Sequence, residues 1–417
     1  MREDTPRSER SRRTGGTAGD SRPKGSQLRT AGLVSSLFLL SASAAAYEIA
    51  PAGVIPLIRS SFGIGPAAAG FLVSVMYGTA LVASVPAGVV LDRVDVTRAV
   101  VVAAVALLVA GAWGYAAAVA GAYWWLVASR LLGGLAYVVL WNAGATLVGG
   151  TVAPANRATA VGVFTASAPF GFALAQFGAP RIASAAGWPA VLPAFAGLAA
   201  VGVGLFVVSA VGRSLSVTTE VPDRAALASL FGNRGVWTIC ALGFIAFSLY
   251  LFLNSWLPSY LSEELGIGLT LSGLLTALFP AVGVFARTGG GVLSDRLFGG
   301  RRRPVAVLAF AVALPGVVGL VVTTHVGSVV GLVVTAGLGV HLAIGLLFSY
   351  VTELVPGEVG ATAVALLTAV GLGGAGFAPV VAGMLVERVG YQSTFLFAGG
   401  VGAVGVALAW RAPEPAE

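Results

Sequence analysis

The sequence repeats itself at a fixed spacing of 203 residues, and this duplication restricts the folds that the chain can adopt. Residues 62–93 align without a gap on residues 265–296, and both stretches end in the same Asp-Arg pair. The same spacing places the sequence Ala-Thr-Ala-Val at residues 158–161 on an identical sequence at residues 361–364. Two copies of one unit in the same order are typical of membrane transporters whose substrate site lies between the repeats.

The composition of the chain excludes most soluble proteins. Apolar residues make up 57% of the chain and charged residues only 10%, and the mean hydropathy is +0.92. So few charged residues leave too little polar surface for a soluble globule of this length. The net charge of +7 does not indicate nucleic-acid binding, because most basic residues flank apolar segments or lie in the N-terminal stretch.

Sequence signatures of enzymes are missing from the chain. It contains no H-E-x-x-H sequence, no Walker sequence and only two histidines, and the single Cys240 can form neither a paired-cysteine metal site nor an intrachain disulfide. We therefore expect no enzyme activity, no cofactor and no metal.

Apolar segments of about 20 residues, long enough to cross a bilayer, predict an all-α integral membrane protein with twelve transmembrane helices in two six-helix repeats. We expect a disordered tail at residues 1–30, a first bundle at 31–211, a linker at 212–235, a second bundle at 236–409 and a C-terminal tail at 410–417. The predicted spans lie at residues 31–58, 67–91, 99–120, 123–148, 158–181, 189–211, 236–257, 269–293, 304–322, 327–351, 361–385 and 392–409.

The arginines of the loops predict the orientation of the chain in the cell membrane. An even number of spans places both termini on one side, and loops on the cytoplasmic side are enriched in basic residues. The loops on the side of the termini hold Arg93, Arg98, Arg157, Arg213, Arg224, Arg234, Arg296, Arg301, Arg302, Arg303 and Arg411, and the opposite loops hold Arg59, Arg181 and Arg388. We expect a multi-pass protein of the plasma membrane with cytoplasmic termini.

Two equivalent loops carry a pattern that resembles a known family. Between predicted helices 2 and 3 the chain has Gly88, Asp92 and Arg93, followed by Arg98. Between predicted helices 8 and 9 the pattern returns as Gly291, Asp295 and Arg296, followed by Arg301, Arg302 and Arg303. This pattern resembles the G-x-L-x-D-R-x-G-x-[RK]-[RK] signature of the major facilitator superfamily, in both halves of the chain.

The resemblance implies a cytoplasmic latch in each half, which holds one conformation and breaks in the other. An Asp at the membrane edge can accept hydrogen bonds from the start of a neighbouring helix, and an arginine can pair with it through two hydrogen bonds. In the first copy Asp95 stands where the family has glycine. Arg287, about two turns before Asp295, is interpreted as part of the second latch.

A second pattern, Arg130 followed by Gly133 and Gly134 in predicted helix 4, resembles the R-x-x-q-G-x-g-a sequence of proton-coupled members, with Gly133 in place of glutamine. An arginine inside a membrane helix is costly and normally faces a cavity or a partner. Glu48 in predicted helix 1 reaches a similar depth and is the expected partner of Arg130. The pair predicts a proton-coupling site, and a fixed structural ion pair is the alternative.

Other polar residues within the spans are weaker candidates for the substrate pathway. His341 predicts either a titrating group or a packed hydrogen-bond donor. Tyr47 and Tyr250 are equivalent positions of the two repeats, which indicates equivalent cavity positions. The remaining candidates are Asn254, Tyr137, Trp141, Asn142 and Gln176, for which packing between helices is an equal explanation.

These observations predict a secondary transporter of a small molecule in a lipid bilayer, and the resemblance implies that it works as a monomer. The resemblance implies two bundles that rock about a central site lined by helices 1, 4, 7 and 10. We expect transport coupled to protons through Glu48 and Arg130. Two alternatives remain: an anion uniporter or exchanger in which Arg130 binds the substrate, and a membrane sensor that transports nothing.

Overall fold

A computed structural model of the chain describes residues 24–91, 93–210 and 224–414. The described residues form helices and no strand, which confirms the predicted all-α fold. Residues 1–23 of the predicted tail, Asp92 of the first latch, residues 211–223 at the start of the predicted linker and residues 415–417 lie outside the described part of the chain.

We number the twelve long helices α1 to α12 in chain order. Some are interrupted and consist of two pieces. They are α1 (Lys24–Ile49, continued by Ile55–Phe62), α2 (Pro66–Leu91), α3 (Val96–Val119), α4 (Tyr123–Thr151), α5 (Pro154–Thr165 and Ser167–Ala186), α6 (Val191–Ala210), α7 (Arg234–Ser259), α8 (Leu269–Leu297), α9 (Arg302–Val322), α10 (Val326–Glu353) and Gly360–Trp410, which Gly390 divides into α11 and α12.

The helices agree closely with the predicted spans. In the described part of the chain 11 helical segments are long and apolar enough to cross a membrane, and the last of them, Gly357–Trp410, is 54 residues long. Gly390 interrupts that segment with a φ of 79°, so it contains two crossings and the total is consistent with twelve. Helix α1 begins at Lys24, inside the stretch predicted as a tail, and Arg224–Gly232 of the predicted linker forms a short helix.

The duplication seen in the sequence extends to the backbone. Gly63 after α1 and Gly266 after α7 are equivalent in the two repeats and have φ values of 63° and 65°. Gly187 after α5 and Gly390 after α11 are also equivalent, with φ values of 81° and 79°. Positive φ favours glycine because a Cβ atom would clash with the backbone there. The same turn chemistry thus ends the same helices in both halves.

Two faces of the bundle can be distinguished by their loops. We call the face with Gly63 and Gly266 the distal face, and the face with the α2–α3 and α8–α9 loops and the described chain ends the terminal face. The terms first half and second half denote residues before and after the linker.

At the distal face the two halves meet through glycines. A Cβ atom on Gly70 of α2 would lie 2.3 Å from the carbonyl oxygen of Pro379 in α11. A Cβ atom on Gly273 of α8 would lie 2.5 Å from the carbonyl oxygen of Gln176 in α5. These two contacts are equivalent under the repeat, because both the glycines and the residues they face are 203 positions apart. Small residues allow such close approach of helix backbones.

Candidate functional site

Arg130 of α4 is completely buried and is held by main-chain oxygens. Its Nη1 donates to the carbonyl of Tyr47 at 2.7 Å, its Nη2 donates to the carbonyl of Glu48, and its Nε donates to the carbonyl of Leu72 at 3.2 Å. The guanidinium carbon also lies 4.7 Å from the ring centre of Tyr47. The cation is therefore solvated by backbone dipoles from α1 and α2.

The sequence explains why the carbonyls of α1 are free to accept these bonds. Pro51 interrupts the helix, which passes through a tight turn at Ala50–Val54 before it continues. Proline has no N–H group, so Tyr47 lacks its donor in an α-helical pattern and Glu48 lacks its donor in the tighter 3₁₀ pattern. The two arms of the Arg130 guanidinium replace both donors.

The structure brings Glu48 and Arg130 together through the main chain of Glu48. Among the described residues no ion pair joins the two side chains. The buried Glu48 carboxyl group instead lies beside the Tyr77 hydroxyl of α2, although the Tyr77 hydroxyl makes no hydrogen bond that meets ordinary distance and angle limits. The carboxyl group is thus left outside the hydrogen-bond set of Arg130.

The neighbouring glycine of α4 explains a departure from the family pattern. A Cβ atom on Gly133 would lie 2.5 Å from Cε1 of Tyr47, so the tyrosine ring occupies the place that a side chain would need. The hydroxyl of Tyr47 donates to the carbonyl of Ala110 at 3.3 Å. The absence of a side chain at Gly133 therefore allows the Tyr47 ring to pack against α4.

A second polar cluster lies in the second half, where α7, α8 and α10 meet. Arg287 of α8 donates from Nε to Nδ1 of His341 in α10 at 3.1 Å. Its guanidinium carbon lies 5.3 Å from the ring centre of Tyr250 in α7, and the rings of Tyr250 and His341 are 5.1 Å apart in an edge arrangement. Because Nδ1 accepts this bond, the proton of a neutral His341 ring is on Nε2. The imidazole also interacts with the backbone of Phe279.

This position corrects the interpretation of Arg287 as a latch residue. Its side chain reaches the buried His341, whereas Asp295 pairs with Arg302, with Nη1 2.8 Å from Oδ1. Two helical turns separate Arg287 from Asp295, and that distance moves the arginine from the helix end into the bundle. No carboxylate pairs with Arg287 among the described residues.

Aromatic rings and a glycine complete this cluster, and the sequence analysis missed them. Phe172 stacks on Tyr250 with ring centres 5.2 Å apart, and Phe279 lies 5.3 Å from the His341 ring. A Cβ atom on Gly283 would lie 2.3 Å from Cε1 of His341, so this glycine makes room for the imidazole. Nothing in an apolar helix marks such residues before the fold is known.

The remaining pathway candidates are divided between the two halves. Tyr137 and Trp141 of α4 stack with ring centres 6.4 Å apart, and Asn142 is half-buried beside them. Asn254 of α7 donates its side-chain amide to the carbonyl of Tyr250 at 2.8 Å. The hydroxyls of Tyr77, Tyr137 and Tyr250 all lie within electrostatic reach of Glu48, so the two polar clusters share one central region.

The terminal-face motifs differ between the halves. In the second copy Arg302 bridges Asp295 and Glu353, with hydrogen bonds of 2.8 Å to Asp295 and of 2.8 and 2.5 Å to Glu353. The side chains of Arg296 and Arg301 are exposed, and a Cβ atom on Gly291 would meet nothing within 4 Å. Of the three arginines that follow Arg296 in the motif, Arg302 is therefore the one that holds the aspartate.

In the first copy Asp92 lies outside the described residues, and Arg93 and Arg98 have exposed side chains. A Cβ atom on Gly88 would meet nothing within 4 Å. Asp95 caps α3, because its Oδ1 accepts the backbone N–H of Arg98 at 2.9 Å. This hydrogen bond lowers the pKa of Asp95. The aspartate in the place of the family's glycine thus has a structural use.

Comparison with known proteins gives one family. The family model described as Major Facilitator Superfamily matches residues 35–375. A solved structure of a bacterial homolog to the human lysosomal transporter Spinster, in an inward-facing and unoccupied conformation, matches with a TM-score of 0.77 at 14% identity, over 92% of this chain and 97% of that one.

Three curated relatives have names that refer to small anions. The "Nitrite extrusion protein" of Bacillus subtilis is 30% identical over 34% of each chain. The "Probable sulfoacetate transporter SauU" of Cupriavidus necator is 32% identical over 41% of this chain and 42% of the relative. The "Probable nitrate transporter NarT" of Staphylococcus haemolyticus is 25% identical over 49% of this chain and 52% of the relative. The chain thus spans between a third and about half of the length of these relatives.

Proposed function

Because the chain belongs to the Major Facilitator Superfamily, which makes it a multi-pass membrane transporter rather than an enzyme, we propose that it moves a small anion across the plasma membrane by alternating access. The observation that carries the proposal is the Arg287 cluster. A buried or half-buried cation in a membrane is costly unless it has a partner or a cavity to face, and Arg287 has a neutral imidazole and a tyrosine ring but no carboxylate.

The chemistry of the cluster suits an anion. A guanidinium presents several N–H donors in one plane and binds oxyanions and carboxylates through two hydrogen bonds. The Nε2–H of His341 is a further donor in the same cluster. Phe172 and Phe279 exclude water from the same place and strengthen such interactions. The names of the relatives, which refer to nitrite, sulfoacetate and nitrate, support this substrate class.

Glu48 is the proposed proton site. Its carboxyl group is buried, lies outside the hydrogen bonds of Arg130 and is within electrostatic reach of Tyr250, which contacts Arg287. A proton on Glu48 would leave the central region more positive and would favour an anion at Arg287. Proton and anion would then enter and leave together.

The proposed orientation follows from the loop charges, with the termini in the cytoplasm. The distal face is then the outer face. Because the halves meet there through Gly70 and Gly273, the described conformation is closed at the proposed outer face. Function as a monomer also remains part of the proposal.

An anion exchanger that moves no protons is the second candidate. This candidate differs from the exchanger predicted from the sequence in the residue that binds the substrate. Three carbonyls occupy Arg130, so Arg287 would bind the substrate instead. Glu48 would then only neutralise the central region.

Transport by purified protein in liposomes tests both candidates and the sensor alternative. We would measure uptake of nitrate, nitrite and sulfoacetate with and without a pH gradient, for the wild type, Glu48→Gln, Arg287→Gln and the control Arg388→Gln, which removes an exposed distal arginine. Proton-coupled transport predicts uphill uptake that Glu48→Gln abolishes while exchange survives, and that Arg287→Gln abolishes entirely. Exchange that is independent of pH and unchanged in Glu48→Gln supports the second candidate, and no flux of any anion contradicts both.

A further inference from the structure

Gln176 of α5 makes a hydrogen bond between the two halves. Its side chain is buried, and its Nε2 donates to the carbonyl oxygen of Asn254 in α7 at 2.6 Å. The acceptor is available because Pro258, four residues later in α7, has no N–H group to donate to it. The bond thus repeats the chemistry of Arg130 at Pro51, except that Arg130 donates within one half and Gln176 donates across the two halves.

Gln176 contacts two further elements at the distal face. Its own carbonyl, which Pro180 leaves without an intrahelical donor, faces Gly273 of α8 at the close approach described above. Its Oε1 would lie 3.4 Å from a Cβ atom on Gly53, in the turn that interrupts α1. One residue of the first half therefore meets α7 and α8 of the second half next to the break in α1.

A short chain of hydrogen bonds connects this contact with the Arg287 cluster. Asn254, whose carbonyl accepts from Gln176, donates its side-chain amide to the carbonyl of Tyr250 one turn earlier in α7. Tyr250 lies against both Arg287 and His341. The contact with Gln176 is therefore one helical turn away from the residue that lies against the guanidinium.

We infer that Gln176 is a positioning residue that couples closure of the distal face to the Arg287 cluster. When the halves separate at this face, α5 moves away from α7, the bond breaks and the Asn254 carbonyl becomes open to water. The inference rests on the proposed function only in taking the Arg287 cluster as the ligand site.

Two atoms at this contact oppose the closed arrangement. Gln176 Oε1 and Asn254 Oδ1 are buried without a hydrogen-bond partner in the described structure. Burying an acceptor without a partner is unfavourable, because water satisfied it before. The hydrogen bond from Gln176 therefore favours the closed face while two neighbouring oxygens oppose it, and the balance can respond to a ligand.

The test compares the populations of open and closed distal faces by double electron–electron resonance. Spin labels would be attached at Ser184→Cys in α5 and Thr270→Cys in α8, both exposed at this face, in protein that carries Cys240→Ala. Gln176→Met keeps the length of the side chain and removes the donor. Its matched control is Gln392→Met, which removes an exposed amide that donates to Glu264 inside the second half. We expect Gln176→Met to raise the long-distance population at least threefold and Gln392→Met to leave it unchanged.

A second variant covers the case in which Gln176→Met does not fold. Gln176→Glu keeps the shape of the side chain and can donate to the Asn254 carbonyl only when it is protonated. We expect the closed population of this variant to match that of the wild type at acidic pH and to fall at alkaline pH, while the wild type changes less. Distances that are insensitive to both substitutions overturn the inference.

The distance measurement contains no substrate and is therefore independent of the proposed function. Addition of nitrate gives the link to the ligand site: the wild type is expected to change its distance distribution, and Asn254→Ala, which keeps the acceptor carbonyl but loses the bond to Tyr250, is expected to change less. An equal response of the wild type and Asn254→Ala overturns the coupling. A third outcome is that Gln176→Met changes the distance distribution but no anion does. This outcome supports the role of Gln176 in closure and contradicts only the proposal that the substrate is an anion.

Discussion

Arg59 and Glu263 form an ion pair between the two halves at the distal face, with Nη1 2.9 Å from Oε2. Tyr391 of α12 donates its hydroxyl to the same carboxylate oxygen at 2.9 Å. Arg59 lies at the end of α1 and Glu263 at the end of α7, so the pair joins the equivalent helices of the two repeats. It is the ionic component of the closed face, beside the main-chain contacts of Gly70 and Gly273.

Glu263→Gln is expected to weaken the closed distal face only modestly. The two side chains are 26% and 32% exposed, and ion pairs of this kind contribute about 0.2–1 kcal/mol, or roughly 1.5-fold to 5-fold in population. The rate at which a thiol reagent labels Ser184→Cys measures the open population. Glu264→Gln, which changes an exposed carboxylate that accepts from Gln392 inside the second half, is the control, and an equal effect of both changes would contradict the specific role of the pair.

Gly70→Ala and Gly273→Ala are expected to disturb closure much more. Each new methyl group would meet a backbone carbonyl, which cannot move aside as a flexible side chain can, and overpacking of this kind costs about 1–3 kcal/mol. Labelling of Ser184→Cys should accelerate by roughly 5-fold to 100-fold in each variant. Gly78→Ala in α2, where a Cβ atom would meet nothing within 4 Å, is the matched control. Unchanged labelling of the Gly70 and Gly273 variants would show that these glycines do not limit closure.

Pro51→Ala is expected to reduce the dependence of the fold on Arg130. In the wild type, Arg130→Met would leave buried carbonyls of Tyr47 and Glu48 without donors, at about 1–3 kcal/mol for each group. An alanine at 51 restores an N–H that can satisfy one of them. The loss of unfolding free energy caused by Arg130→Met should therefore be smaller by about 1 kcal/mol in the Pro51→Ala background. Thermal unfolding of the four proteins in detergent measures the coupling, and strict additivity would contradict the assigned bonds.

Asp95→Ala is expected to destabilise α3 at neutral pH and to have little effect in acid. The hydrogen bond from the Arg98 N–H lowers the pKa of Asp95 in the folded protein. A carboxylate with a lowered folded pKa contributes stability above its unfolded pKa, and the contribution is lost as the pH falls through the folded pKa. Asp95→Asn, which keeps an acceptor oxygen without the charge, should not lose its contribution in acid. Unfolding temperatures at pH 7 and pH 3 test this, and an Asp95→Ala difference that is equal at both would contradict the cap.

The sequence was sufficient for the helices and their pairing. Long apolar segments locate membrane helices because the bilayer leaves few alternatives, and the fixed repeat spacing showed that the chain has two equivalent halves. The loop motifs predicted the family that the comparisons confirm. Pro51 and Pro258 could also have been used, because a proline in a buried helix implies a free carbonyl and hence a donor from elsewhere.

The sites were less accessible to sequence reasoning. In helices that are apolar on nearly every side, the 3.6-residue period does not show which side faces the centre. Arg287 was therefore assigned to the latch at Asp295, whereas it contacts His341. The expected partner of Arg130 was a carboxylate, whereas its partners are main-chain carbonyls. Gln176 gave no signal stronger than any other amide in a helix.

The glycine contacts of the distal face have a consequence for how such a protein can change its cargo during evolution. Gly70 and Gly273 face backbone oxygens, so the moving parts depend on helix shape and on the absence of two methyl groups. The residues around Arg287 and His341 are side chains on other turns of the same bundle. Substitutions can therefore accumulate in the binding region while the glycine contacts of the distal face stay unchanged. A new substrate specificity can then arise without a change in how the two halves close.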